Sequence, residues 1–125
     1  MLIRTLQELA GSERSVAWGN GLSRRFLLEE DGRGVTITDT IIDSASESHL
    51  CYQQHDEICY CIEGEGEIER GGEVHPLRPG TLYALDRGEA HVLRAFSRLR
   101  LVCVFSPALV GPERHEFVDG VPSSY

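Results

Sequence analysis

From Ser15 onward the chain reads as short runs of alternating or β-branched residues, each closed by Gly, Pro, Asp or Asn, with no helical period. The one helical signal lies ahead of them. In Thr5-Leu6-Gln7-Glu8-Leu9-Ala10-Gly11, Thr5 and Glu8 stand at capping-box spacing and Gly11 suits a left-handed stop, which predicts a helix too short to carry a core. Residues 24–28, the turn Glu30-Asp31-Gly32-Arg33-Gly34 and the alternating residues 35–42 predict a hairpin. Further strands are expected at 57–63, 66–70, 73–77, 82–85, 91–95 and 99–105. So many short strands within 125 residues favour a closed barrel or a sandwich, because an open sheet leaves edges that a small protein cannot cover. Residues 107–125 hold three of the five prolines and read as a loop or lid. With no internal repeat or linker, residues 1–125 are expected to form a single domain.

Composition narrows the function classes. Twelve basic against twenty acidic residues, a net charge of -8, leave no positive stripe for phosphates, so no nucleic-acid partner is expected. All the basic residues are Arg, which excludes Schiff-base chemistry and a P-loop lysine. The start Met1-Leu2-Ile3-Arg4-Thr5 lacks the pattern of a signal peptide, and no apolar run approaches the roughly 20 residues that span a bilayer. A cytoplasmic protein with no membrane partner is expected. Cys51, Cys59, Cys61 and Cys103 lack zinc-knuckle spacing and read as small buried strand residues of a reducing compartment.

The chemistry concentrates between residues 57 and 91. Glu57 is followed six residues later by Glu63-Gly64; further on come Arg78-Pro79-Gly80 and then Gly88-Glu89-Ala90-His91. This order resembles the two motifs of the cupin family, small jelly-roll barrels that supply metal ligands from inward-facing strand positions. Glu57, Gly64, Gly80, Gly88 and His91 fall on the motif positions, with Asp86 where Pro is usual. The paired histidines that many cupins carry just before the Glu are absent, since Leu50, Cys51, Tyr52 and Gln53 stand there. Glu57 and His91 alone are an incomplete site, and Tyr83 is the candidate to complete it. Alternation puts Glu57, Cys59 and Cys61 on one face and Tyr83 with Leu85 on one face, without saying which is interior.

Within the cupins, the chain resembles the ectoine synthase family over nearly its whole length. The resemblance is carried by Arg4-Thr5-Leu6, Ser23-Arg24-Arg25, Asp39-Thr40, Tyr52, the run from Tyr60 to Glu69, Arg78 to Thr81, Tyr83 to Asp86, His91 and the run from Leu99 to Phe105. It implies an all-β cupin barrel with a short N-terminal helix and a C-terminal lid. It also implies a hydro-lyase that closes N-γ-acetyl-L-2,4-diaminobutyrate into a cyclic amidine with loss of water, for compatible-solute production under osmotic stress. Glu57, Tyr83 and His91 then correspond to ligands of Fe(II), although such donors accept other divalent metals such as zinc. A metal that polarises the amide carbonyl removes the need for a lysine. Arg25, Thr40, Cys103 and Phe105 correspond to substrate-binding positions, and Tyr52, Glu113 and His115 to catalytic ones able to move protons. A homodimer is implied in the same way.

Two departures concern the substrate pocket. The family's Trp two residues before Ser23 is replaced by Gly21, with Trp18 three residues earlier able to serve instead, and Thr38 stands where His or Asn is usual. They keep open a related metal cupin acting on another small amide or amino acid. A metabolite-binding cupin without catalysis is the third reading.

Overall fold

The computed structural model describes residues 1–117 and 123–125. Helix α1 (Leu6–Leu9) forms where the capping box predicts it, with the Thr5 hydroxyl accepting from the Glu8 N–H and the Glu8 carboxylate accepting from the Thr5 N–H. Eleven strands follow: β1 (Ser15–Ala17), β2 (Gly21–Arg25), β3 (Thr36–Ile42), β4 (Ser46–Cys51), β5 (Asp56–Glu63), β6 (Gly66–Arg70), β7 (Glu73–Leu77), β8 (Leu82–Leu85), β9 (His91–Ala95), β10 (Leu99–Ser106) and β11 (Ser123–Ser124). They form a six-stranded sheet in the order β1-β2-β3-β10-β5-β8 and a five-stranded sheet in the order β11-β4-β9-β6-β7. All pairings are antiparallel except that of β11 on β4.

The two sheets close on one core because each strand presents its even or its odd residues inward. On β10 these are Leu99, Leu101, Cys103 and Phe105; on β5 they are Glu57, Cys59 and Cys61. The register pairs Cys103 with Cys59 and Cys59 with Tyr83, so β10, β5 and β8 turn one continuous row toward the opposite sheet. That sheet contributes Leu50 from β4, Ile68 from β6, and His91 and Leu93 from β9. The turn from β5 into β6 depends on Gly64: its φ is +87°, and a Cβ there would lie 2.1 Å from the Arg98 carbonyl oxygen.

The strand expected at 24–28 stops at Arg25. Phe26 and Leu27 both donate to the Ile37 carbonyl, and residues 29–31 coil into a 3₁₀ turn stapled by Asp31, whose carboxylate accepts from the Leu28 N–H at 2.9 Å. The hairpin itself forms, with Arg25 opposite Thr38. Strand β4 is an addition to the elements read from sequence. Of the expected lid 107–125, residues 118–122 lie outside the described residues. No helix among the described residues is long and apolar enough to cross a membrane.

Carboxylates brace the outer surface of the six-stranded sheet. Asp39 on β3 accepts from Arg24 on β2 and from Arg100 on β10, the latter at 2.7 Å, tying three strands crosswise. Asp31 is held in the same way by Arg4 and Arg14 at 2.9 Å. Burial works to raise the Asp39 pKa, but the hydrogen bonds from Arg100 and Arg24 prevail and hold it below the ordinary carboxylate range. A depressed folded-state pKa contributes stability that is full above the unfolded value and disappears as pH falls through the folded one. Asp39→Asn is therefore expected to lower unfolding free energy by roughly 2 kcal/mol at neutral pH, less than for a fully buried pair because both arginines are partly solvated. In urea titrations, the gap from wild type should close progressively as pH falls below the unfolded-state value of about 3.9.

Candidate active site

Between the sheets lies a mostly apolar pocket into which a few polar side chains converge, among them Thr40, Tyr52, Glu57, Tyr83 and His115. Glu57 and Tyr83 reach it from neighbouring strands, because Glu57 pairs with Leu85 and Tyr83 with Cys59, which makes the two diagonal neighbours on one face. His91 opens β9 on the facing sheet.

Glu57 Oε1 and His91 Nε2 are 3.9 Å apart, both buried and both without a hydrogen-bond partner. His91 Nδ1 lies 3.0 Å from the Glu89 carbonyl oxygen, which can only accept, so Nδ1 carries the proton and Nε2 turns its lone pair toward Glu57. Burial also lowers the His91 pKa and so keeps the ring neutral. Two acceptors thus face each other, an arrangement that costs about 1–3 kcal/mol for each unsatisfied group unless a cation joins them. Two bonds of about 2.0–2.2 Å span the gap, and a carbonyl behind Nδ1 is the usual support of a ligating histidine. Burial, against weaker contributions from Cys59 and Tyr52, pushes the Glu57 carboxyl up to about 7. Burial first, then Cys59 and Glu57, keeps the Tyr83 phenol protonated well above its ordinary pKa. Carboxylate, phenol and imidazole therefore fit a divalent metal that displaces protons on binding.

Other expected residues gather on the same cavity. Thr40, Cys103 and Phe105 line it, with the Thr40 hydroxyl 2.8 Å from that of Thr38. The Tyr52 hydroxyl and His115 Nε2 share a 2.9 Å hydrogen bond at its wall. Burial, then the charges of His91 and Arg25, lowers the His115 pKa to about 3, so the ring is neutral at pH 7.

Two residues are placed differently. Arg25 is fully buried and donates to the carbonyls of Gly111, at 2.7 Å, and of Glu113, and to Ser23 Oγ, so its guanidinium grips the C-terminal segment. The Glu113 carboxylate accepts from the N–H groups of Val110 and Gly111 at 2.8 and 2.7 Å and lines a different, outer groove. Burial works to raise its pKa, but those two backbone donors hold it below the ordinary value.

Trp18 and Tyr125 complete the wall. The Trp18 indole lines the cavity, and its buried Nε1 has no partner. A side chain at position 21 is impossible on this backbone, since a Cβ would lie 1.9 Å from the Ile41 carbonyl oxygen; the indole comes from the other arm of the β1–β2 turn instead. Tyr125 packs its ring 4.6 Å from that of His115 and 5.1 Å from that of Tyr52. Nothing in the local pattern of a Pro- and Ser-containing tail signals that contact.

A carboxylate, a phenol and an imidazole on inward strand positions of an all-β barrel define a small-molecule site of the cupin class. The fold agrees: a Cupin 2 conserved barrel domain protein from Salinispora arenicola superposes with a TM-score of 0.68 at 17% identity, covering 85% of this chain and 88% of that one. The particular family is shown by closer likenesses. The family model described as ectoine synthase matches residues 1–124. L-ectoine synthase of Desulfatibacillum aliphaticivorans is 50% identical over 120 residues, 93% of this chain and 92% of the relative. That of Oceanobacillus iheyensis is 46% identical over 123 residues, 97% and 95% of the two chains. The crystal structure of ectoine synthase from P. lautus superposes with a TM-score of 0.86 at 42% identity, covering 97% of this chain and 96% of that one. The chain belongs to the ectoine synthase family.

If the facing lone pairs hold a cation, added Zn(II) at about a hundred times its dissociation constant should stabilise the fold by about 2.7 kcal/mol. Thermal melting should show an upward shift that chelator reverses and Glu57→Gln removes. Affinity should weaken as pH falls below about 7, where the free protein's Glu57 takes up the competing proton.

Proposed function

We propose that the protein converts N-γ-acetyl-L-2,4-diaminobutyrate to ectoine by intramolecular cyclisation with loss of water, using a divalent metal, Fe(II) in the cell. The observation that carries the reading is the pair of opposed, unpartnered atoms of Glu57 and His91 beside the pocket, in a chain of this family. In the reaction the α-amine attacks the carbonyl carbon of the γ-acetamide, a C–N bond forms, and the former carbonyl oxygen departs as water to leave the amidine. Glu57, Tyr83 and His91 would hold the metal, which supplies Lewis-acid polarisation of the amide carbonyl when bound.

The rest is the work of the chain's own groups. Trp18 Nε1–H and the Thr40 hydroxyl are donors suited to the substrate carboxylate, and a buried indole N–H without a partner gains most from meeting one. The hydrogen-bonded Tyr52–His115 pair, neutral at pH 7, relays a proton from the attacking amine to the departing oxygen without retaining it. Phe105, Cys103 and Tyr125 wall the site with weakly polar surface, which favours a step that expels water. Arg25 positions the segment that bears His115 through the Gly111 and Glu113 carbonyls. Glu113 holds the turn that presents those carbonyls.

A cytoplasmic location is part of the proposal, supported by four buried cysteines that are all free thiols. So is a homodimer. Ile58, Tyr60 and Leu82 form an exposed apolar row on the outer face of β5 and β8, with Tyr60 opposite Leu82 and β8 at the sheet edge. Leu82→Glu is expected to convert dimer to monomer in sedimentation velocity.

Turnover is tested with anaerobic, Fe(II)-loaded protein, following the cyclic product by NMR. Tyr52→Phe should lower kcat by about a hundredfold or more. Trp18→Phe, which keeps the ring stack and deletes the donor, should raise KM by about tenfold with a smaller effect on kcat. Stoichiometric metal with no cyclic product would refute the substrate and leave another small amide as the ligand.

A further inference from the structure

We propose that Cys59 is a fourth ligand of the metal site, which makes its donor set mixed nitrogen, oxygen and sulfur; this rests on Glu57, Tyr83 and His91 being the other three. Cys59 is the next inward residue after Glu57 on β5 and lies directly opposite Tyr83 on β8. It is 0% exposed. The Glu57 oxygen, Cys59 Sγ and Cys103 Sγ all lie within 4.8 Å of one another.

The unpartnered Glu57 Oε1 and His91 Nε2 mark where a cation would sit, and Cys59 Sγ lies within 4.8 Å of the Glu57 carboxylate. Carboxyl, phenol and thiol are all acids whose conjugate bases bind metals, and a single divalent ion relieves the crowding of their protons in one buried space. Cys103, 3.1 Å from Cys59 across the β10–β5 pairing, supplies the supporting hydrogen bond: once Cys59 is a thiolate, the Cys103 S–H donates to it. Cys103 itself stays on the substrate side, among the cavity walls. Sulfur is a soft donor, so this chain should favour Zn(II), Co(II) and Fe(II) over Mn(II) more strongly than an all-oxygen and imidazole site would.

The test uses Co(II) as the probe. Chelator-stripped, reduced full-length protein is titrated anaerobically with Co(II), the bound metal is quantified by mass spectrometry, and thiolate-to-cobalt charge transfer is read in the near ultraviolet. The expected result is stoichiometric cobalt with an intense charge-transfer band. That band should vanish in Cys59→Ser and persist in Cys103→Ser, and Zn(II) affinity in Cys59→Ser should fall by about tenfold or more in chelator competition. Stoichiometric cobalt without the band in wild type, or a band that survives Cys59→Ser, overturns sulfur ligation and leaves the three-ligand site standing. Failure to bind cobalt at all overturns both. The wild-type spectrum decides the matter even where a variant folds poorly.

Discussion

Two electron pairs that repel across a few ångströms organise this protein. Glu57 and His91 are placed on opposite sheets by strand pairing alone, and Glu57 Oε1 and His91 Nε2 have no hydrogen-bond partner. The barrel can hold them there because its framework is stabilised elsewhere, by the apolar row of β10 and by the arginine braces on the outer face. A cation would satisfy such a pair, so the site is compatible with a metal.

The walls follow from the same economy of positions. Strand alternation offers only a few inward slots around the pocket, shared by the polar groups of Glu57, Tyr83 and Thr40, by Cys103 and Phe105, and by the aliphatic Ile42, Leu50, Leu93 and Leu101, while Trp18, Tyr52, His115 and Tyr125 bring rings from outside the strands. Where β2 runs against β3, the closeness of Gly21 to the Ile41 carbonyl leaves no slot at all, and the indole of Trp18 reaches the cavity from the turn beyond. A change that looks like the loss of an aromatic in the sequence is a change of the route by which an aromatic arrives.

Much of the barrel was legible because short alternating runs are a local signal: the boundaries of β6, β7, β8 and β9 match the expected strands. Strand β4 was not, since Ser-Glu-Ser-His-Leu-Cys has no apolar alternation of its own and is held by pairing with β9. The inward face of β5 was ambiguous for a related reason: its outer row, Ile58 and Tyr60, is at least as apolar as its inner one and stays largely exposed. Motif spacing singled out Glu57 and His91, and the family resemblance added Tyr83. The carbonyls that Arg25 meets in the fold lie 86 and 88 positions away in a segment without periodicity, so no local rule could find them.

The way Arg25 grips that segment has its own consequence. A carboxylate partner would let go on acidification and weaken with salt, as surface ion pairs do, whereas a peptide carbonyl has no proton to gain at any pH a cell meets. The docking of the segment is thereby insulated from the ionic strength of its surroundings. The cavity keeps its shape through a contact that changes of salt hardly touch.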